Sequence, residues 1–251
     1  MDGVLYRMDE PLPAAAEAVG RLCSRGIRVF YLTNNSTKTR HEYVAKLKSL
    51  GIHATEEQIM TSAYATAQWL HAEGAVGKNV YVIGEQGLKA ELQSVGMQVV
   101  DYSEEVPIHY VVVGWDRGLS YRKLKEAHFA IGAGATFIAT NRDPTYPDAG
   151  GRTIPGGGSI VAAVQTSTGI SPRTIGKPEP YTLQLILSQA AASPAECLVI
   201  GDRLDTDIAA GKRVGARTAL VLTGVSTRAQ VDMAPQELRP DFVWQDLREL
   251  P

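Results

Sequence analysis

The chain of 251 residues has 44% hydrophobic and 21% charged residues, a composition that excludes collagen-like, coiled-coil and disordered classes. Its 25 Lys and Arg against 27 Asp and Glu give a net charge of −2, which leaves no basic footprint for nucleic acid or an anionic membrane. No apolar run reaches the roughly 18 residues of a membrane span, and the acidic start MDGVLYRMDEP does not read as a signal peptide. A soluble cytoplasmic protein is therefore expected, with no nucleic-acid or membrane partner. Cys23 and Cys197 sit in apolar runs without a C-x-x-C pair, so they read as buried thiols in a reducing compartment.

In chain order, Ala15, Ala18, Val19 and Leu22 share one face of a helix predicted over Ala14–Arg25, and a continuous apolar run predicts a strand over Ile27–Leu32. A helix over His41–Leu50 stops at Gly51. Thr55 and Gln58 have the spacing of a capping box, a role for which a helix starting at Ser62 competes. Strands follow over Val80–Ile83, Tyr110–Val113 and Thr136–Ala139. The cluster of Gly150, Gly151, Gly156, Gly157 and Gly158 with Pro147 and Pro155 predicts a loop or hinge. A short strand at Thr174–Ile175, a helix over Tyr181–Ala192, a strand over Cys197–Ile200, a helix over Asp207–Val214 and a strand over Thr218–Leu222 complete the series. Runs apolar on both faces alternating with helices predict an α/β protein with a parallel, helix-covered sheet. Boundaries near Gly74–Lys78 and Gly169–Pro172 divide the chain into 1–77, an inserted α/β segment at 78–171, and 172–251.

Open parallel sheets bind ligands beyond the carboxyl ends of their strands. At those ends stand Thr33-Asn34-Asn35-Ser36-Thr37, Gly176-Lys177-Pro178-Glu179-Pro180 and Gly201-Asp202-Arg203-Leu204-Asp205-Thr206-Asp207, with Asp2-Gly3 at the start of the chain. Hydroxyl, amide, lysine and carboxylate groups together suit a phosphorylated substrate with Mg²⁺: carboxylates hold the hard cation, and lysine and hydroxyl meet the phosphoryl oxygens. Singly, each has a plainer reading. Thr33-Asn34-Asn35-Ser36 is a helix-capping turn, Lys177 a solvated surface lysine, and Asp202 with Asp207 the start of a helix whose dipole favours carboxylates.

In order, the blocks MDGVLY (1–6), LTNNSTKT (32–39), ATNRDPTYP (139–147), PGGGS (155–159), IGKPEP (175–180) and GDRLDTDI (201–208) span essentially the whole chain. They resemble the haloacid dehalogenase (HAD) superfamily of phosphohydrolases, subclass IIA, the branch with p-nitrophenyl, pyridoxal and phosphoglycolate phosphatases. The resemblance implies a Rossmann-like parallel-sheet core, formed by 1–77 and 172–251, carrying a large α/β cap at 78–171. It implies hydrolysis of small phosphorylated metabolites through an aspartyl-phosphate, with Mg²⁺ as cofactor. Asp2 matches the general acid and base, whose main-chain carbonyl is a metal ligand. Thr33 and Lys177 match the groups on the phosphoryl oxygens, Asp202 a direct metal ligand, and Asp207 the residue ordering the metal's waters. Asn34 and Asn35 match the phosphate side, and Tyr146 falls where the pyridoxal phosphatase pattern has histidine and is a candidate substrate contact. Such proteins often pair through the cap, and no feature here decides between a monomer and that homodimer.

The family motif is D-x-D-G, and the chain begins at its second letter, with Met1 at x. The nucleophilic aspartate and the apolar strand before it are not among the 251 residues. A start assigned at an internal methionine or a fragment accounts for this, with an inactive HAD-like binding or regulatory protein as the alternative and a replaced nucleophile as a third reading. The chain as written is expected to be inactive and unstable, or at best loosened in fold. A dinucleotide site is set aside because Gly156-Gly157-Gly158 lacks the G-x-G-x-x-G spacing, and a P-loop because proline follows Lys177.

Overall fold

A computed structural model describes residues 1–148 and 152–250. The chain forms two compact units: unit 1 comprises Met1–Thr33, Tyr43–Met60 and Lys177–Pro251, and unit 2 comprises Asn34–Glu42 and Thr61–Gly176.

Unit 2 is built on a parallel sheet. Strands β5 (Asn79–Ile83), β6 (Gln98–Val99), β7 (Tyr110–Val113), β8 (Thr136–Ala139) and β11 (Arg173–Thr174) lie in the order β11-β8-β7-β5-β6. The register pairs Ile83 with Val113 and Val113 with Ala139. Val111, Val113 and Ala139 are fully buried, and their strands are apolar on both faces because α/β packing covers both. Helices α3 (Ser62–Ala72), α4 (Gln86–Ser94), α5 (Tyr121–Gly132) and α6 (Gly157–Thr168) supply the covering layers. Thr61 caps α3 by accepting from the Tyr64 N–H at 3.0 Å, and a hairpin of β9 (Thr145–Pro147) and β10 (Thr153–Pro155) precedes α6.

Unit 1 has its sheet in two pieces. Strands β12 (Leu198–Gly201), β13 (Arg217–Val221) and β14 (Phe242–Trp244) form one parallel piece, and β3 (Tyr31–Thr33) pairs with β4 (Ile59–Thr61) in the other. Helices α1 (Ala15–Ser24), α2 (Arg40–Ser49, which begins in unit 2), α7 (Tyr181–Gln189), α8 (Ala209–Val214) and α9 (Arg228–Met233) complete it, with a two-residue hairpin of β1 (Tyr6–Arg7) and β2 (Glu10–Pro11). One core joins Val4, Leu5, Leu47, Ile52, Ile59 and Val221. The α/β class with parallel sheets is as the sequence predicts. Among the described residues, no helix is long and apolar enough to cross a membrane.

Four local expectations change. The run Ile27–Leu32 forms a strand only at Tyr31–Thr33, and Ile27 is 45% exposed; a ladder needs partners, and the preceding residues have none to regularise them. Cys23 is exposed and Cys197 half-buried: the buried face of α1 is Ala15, Ala18 and Val19, and Cys23 stands at the helix end beyond it. The glycine cluster is not a hinge where it is described. Gly156 N-caps α6, and the N–H groups of Gly156 and Gly158 donate to the carbonyls of Pro144 and Asp143 at 2.9 Å. Gly150 and Gly151 lie outside the described residues. Finally, the capping box and the helix at Ser62 coexist: Thr55 and Gln58 box a single 3₁₀ turn, while Thr61 serves α3.

Candidate active site

Strand β12 delivers Gly201 and then Asp202 at its carboxyl end, after which Leu204–Ile208 wind into one π-helical turn leading into α8. The wide turn folds Asp207 back under the strand end. Its Oδ2 accepts the N–H groups of Asp202 and Arg203, each at 3.2 Å, and its Oδ1 takes the Lys177 ammonium at 2.5 Å. A side chain on Gly201 would overlap Asp207, so this close approach requires glycine. Lys177 and Asp207 are both 6% exposed. Burial alone pushes the Asp207 carboxyl up, but Lys177, the chain's own ammonium terminus and the hydrogen bonds together hold it below the usual carboxylate range.

Asp2-Gly3 arrives beside Asp202 on the first turn of the chain. Gly3 adopts φ +72°, and a Cβ there would lie 2.5 Å from Asp202 Oδ2. The Thr223 hydroxyl donates to the Gly3 carbonyl at 2.6 Å, and the Val225 N–H donates to Asp202 Oδ2 at 2.9 Å. The loop after β13 thus holds Asp2-Gly3 and Asp202 together. Asp2 Oδ2 is buried without a hydrogen-bond partner, and burial raises its pKa above the ordinary value. Asp202 is pushed up to about 6, first by burial and then by the charge of Asp207. The Met1 ammonium donates to the Leu32 carbonyl at 3.3 Å, and its pKa is lowered by burial and by Lys177. Thr33, the next residue along, is the half-buried last residue of β3. Unit 1 therefore gathers Asp2, Lys177, Asp202 and Asp207, with Thr33 one residue beyond the carbonyl that Met1 binds.

The donor set suits a hard cation. It consists of carboxylate and main-chain oxygens, and the orphaned Asp2 oxygen is the kind of buried acceptor that an ion or its water satisfies. Among the described residues no three His, Cys, Asp or Glu side chains gather as a metal cluster. A cation would therefore rest on Asp202 and the Asp2 carbonyl, not on three carboxylates, because both Asp207 oxygens are already engaged.

Unit 2 gathers the other three predicted residues. Asn34 Nδ2 donates to Asp143 Oδ1 at 2.9 Å, and the Asn34 carbonyl accepts from Ser62 Oγ at 2.6 Å and Asn141 Nδ2 at 2.8 Å. Asn35 Nδ2 donates to the Tyr146 hydroxyl at 3.1 Å. The sequence reading missed what surrounds them. Trp115 packs on Tyr146 with ring centroids 4.4 Å apart, and Arg117 lies over Trp115 while pairing with Glu85 at 2.6 Å. Asn141 and Asp143 fix Asn34. The available signal was the strand-end rule, since Trp115 follows β7 and Asn141 follows β8.

Known proteins match the chain over nearly its whole length. The family described as haloacid dehalogenase-like hydrolase matches residues 1–98, and a HAD-hydrolase-like family matches 174–250. An acid sugar phosphatase of Staphylococcus aureus is 39% identical over 249 residues, 99% of this chain and 93% of that protein. The structure of a p-nitrophenyl phosphatase from Archaeoglobus fulgidus superposes with a TM-score of 0.91 at 35% identity, covering 99% of this chain and 95% of the other. A glycerol phosphate phosphatase from Mycobacterium tuberculosis, solved in complex with magnesium, superposes with a TM-score of 0.92 at 36% identity, covering 100% and 74%. With blocks, fold and relatives in agreement over its full length, the chain belongs to the haloacid dehalogenase-like hydrolase family.

Proposed function

We propose that the protein is a Mg²⁺-dependent phosphatase acting on small phosphorylated metabolites, with unit 1 as the reaction centre and residues 78–171 as a cap that selects the leaving group. The observation that carries this reading is that unit 1 holds both a buried Lys177–Asp207 pair and an Asp2 carboxyl with one orphaned oxygen. Asp202 and the Asp2 carbonyl would hold Mg²⁺, with Asp207 ordering its waters. Bound there, the ion supplies positive charge to the phosphoryl oxygens.

The chain's own groups do the rest. Thr33 donates a hydrogen bond to a phosphoryl oxygen, and Lys177 offsets charge on the phosphoryl group. Asn34 and Asn35 line the phosphate side, and Tyr146, seated on Trp115, contacts the leaving group. Asp2, its pKa raised by burial, is suited to give a proton to the departing alkoxide and to take one from the water that follows. In the covalent route a carboxylate two residues before Asp2 attacks phosphorus as the ester P–O bond breaks, and water then cleaves the acyl phosphate.

A binding protein without turnover is the second reading. It would keep the pocket of Lys177, Asp202 and Asp207 for phosphate and metal. The exposed Cys23 thiol suits a reducing compartment, in keeping with a cytoplasmic location. The test is phosphate release from p-nitrophenyl phosphate with Mg²⁺, comparing this chain with one extended by an apolar run and an aspartate immediately before Met1. Turnover by the extended chain alone supports the phosphatase. Two inactive proteins that still bind Mg²⁺ and inorganic phosphate by calorimetry support the binding protein.

A further inference from the structure

Met8 and Asp9 turn the hairpin of β1 and β2, and Met8 does so with φ +57°. Tight hairpin turns ordinarily place glycine, asparagine or aspartate in that region. A bulkier side chain persists there only where its surroundings hold the backbone. The hold comes from α2. Lys46 Nζ donates to the Met8 carbonyl and to Asp9 Oδ1, the latter at 2.9 Å. The same ammonium stands 4.2 Å from the centre of the Tyr6 ring. Tyr43 and Leu47 anchor α2 in the core that contains Tyr6, so Lys46 reaches the hairpin from a fixed backbone. The exposed ion pair is not the main contact. Asp9 is 89% exposed against 15% for Lys46, and pairs with so open a partner add little. The sheltered contacts are the Met8 carbonyl and the Tyr6 ring.

Tyr6 connects these contacts to the site. Its carbonyl accepts from the Gly3 N–H at 2.8 Å, and its main chain bridges that of Asp2. On the other side of the hairpin Arg7 Nη2 donates to the Thr223 carbonyl at 2.6 Å, and the Thr223 hydroxyl in turn holds the Gly3 carbonyl. Hairpin and loop therefore grip Asp2-Gly3 from two sides. The Asp2 carboxyl also senses the hairpin directly. Burial raises its pKa, and the Lys46 charge and the Met8 N–H are among the groups that oppose the rise.

We propose that Lys46 is a positioning residue for Asp2: by holding the Met8 carbonyl and the Tyr6 ring, it fixes the hairpin against which Asp2-Gly3 is set. Its consequence for proton transfer rests on the phosphatase reading, whereas the positioning itself does not.

Amide hydrogen exchange followed by NMR in EDTA measures the positioning without turnover. Lys46→Met keeps most of the apolar stem and removes the charge. In this variant the Gly3 N–H is expected to exchange about tenfold faster or more than in the parent. The N–H of Ala216, held by the Gly211 carbonyl at 3.0 Å elsewhere in unit 1, is expected to keep its rate. Lys46→Arg should return Gly3 to within about threefold of the parent, and Asp9→Ala should leave it there. Lys46→Gln supplies the same comparison should the methionine variant fail to fold. An unchanged Gly3 rate overturns the proposal. So does equal acceleration at Gly3 and Ala216, which would make Lys46 a support of the fold in general. The consequence for the site is read in the chain that turns over p-nitrophenyl phosphate with Mg²⁺. There Lys46→Met should lower kcat about tenfold or more with KM within about threefold, and Lys46→Arg should recover it. An unchanged kcat beside a freed Gly3 overturns the link to Asp2. Absence of turnover in every parent chain counts against the phosphatase reading alone, and the exchange rates still decide the role of Lys46.

Discussion

Replacing Lys177 by methionine leaves Asp207 buried at 6% exposure without the ammonium that now sits 2.5 Å from its Oδ1. Removing one partner of a buried ion pair costs about 3–5 kcal/mol. The hydrogen bonds that Asp207 accepts from the Asp202 and Arg203 N–H groups remain in place, so the lower end is expected, about 3 kcal/mol at pH 7. Adding Asp207→Asn removes the stranded charge yet keeps an amide oxygen for the N–H groups of Asp202 and Arg203. The double variant should therefore regain most of the loss, to within about 1–2 kcal/mol of the parent.

The pH dependence carries a sign. In the parent, Asp207 is held below its ordinary value, so its contribution is present above the unfolded carboxylate pKa and fades as pH falls through the lowered one. In Lys177→Met, burial is opposed less and the carboxyl titrates higher. Its contribution is then greatest in acid and is lost as pH rises through that raised value. The gap between parent and variant should thus widen from acid to neutral pH. Urea unfolding in EDTA at several pH values measures it. Single-variant losses that simply add in the double, or a gap unchanged with pH, would refute the buried-pair account.

Three further outcomes are expected. With Asp202 pushed up to about 6 by burial and by Asp207, the metal-free protein should lose up to about 3 kcal/mol as pH rises from about 4 through 6; Asp202→Asn should abolish that loss in EDTA titrations and remove stabilisation by Mg²⁺. Thr61→Ala strips the N-cap that accepts from Tyr64 N–H at 3.0 Å and should cost about 1 kcal/mol, more if the site stays dry, by chemical denaturation. Gly158→Ala places a methyl 2.6 Å from the Arg142 carbonyl carbon and should cost about 1–3 kcal/mol, whereas Gly132→Ala, with open space around it, should cost nothing or stabilise.

How well the sequence foretold each element follows from how much of its physics is local. The runs at Val80–Ile83, Tyr110–Val113 and Thr136–Ala139 match β5, β7 and β8 to within a residue, because a strand covered on both faces is apolar throughout and needs only that to be seen. Ile27–Leu32 is equally apolar, yet only Tyr31–Thr33 is strand. Hydrogen-bonded partners decide that, and partners are not written in the run itself. The glycines of PGGGS misled for the opposite reason. Glycine marks a loop on average, but here it admits the main chain of residues 142–145 against the start of α6.

The site residues show the same division between what is local and what is not. Each had a plain local reading, and the structure removes the grounds for two of them. Lys177 is not a solvated surface lysine, since it is buried on a carboxylate 30 residues away. Asp207 does not simply begin a helix whose dipole it serves. One of its oxygens holds Lys177, and the other reaches back to the N–H groups of Asp202 and Arg203 across a π turn. Neither fact is visible in IGKPEP or GDRLDTDI alone. What could be read was that both blocks follow strands, and parallel strands deliver their carboxyl ends to one edge. Here the two strands belong to different sheets, β11 to that of unit 2 and β12 to that of unit 1, so the rule alone neither brings the lysine to the two aspartates nor says which oxygen meets which nitrogen. A packed pair at 2.5 Å and an orphaned Asp2 oxygen are consequences of side-chain placement, and those two details give the site its chemical direction.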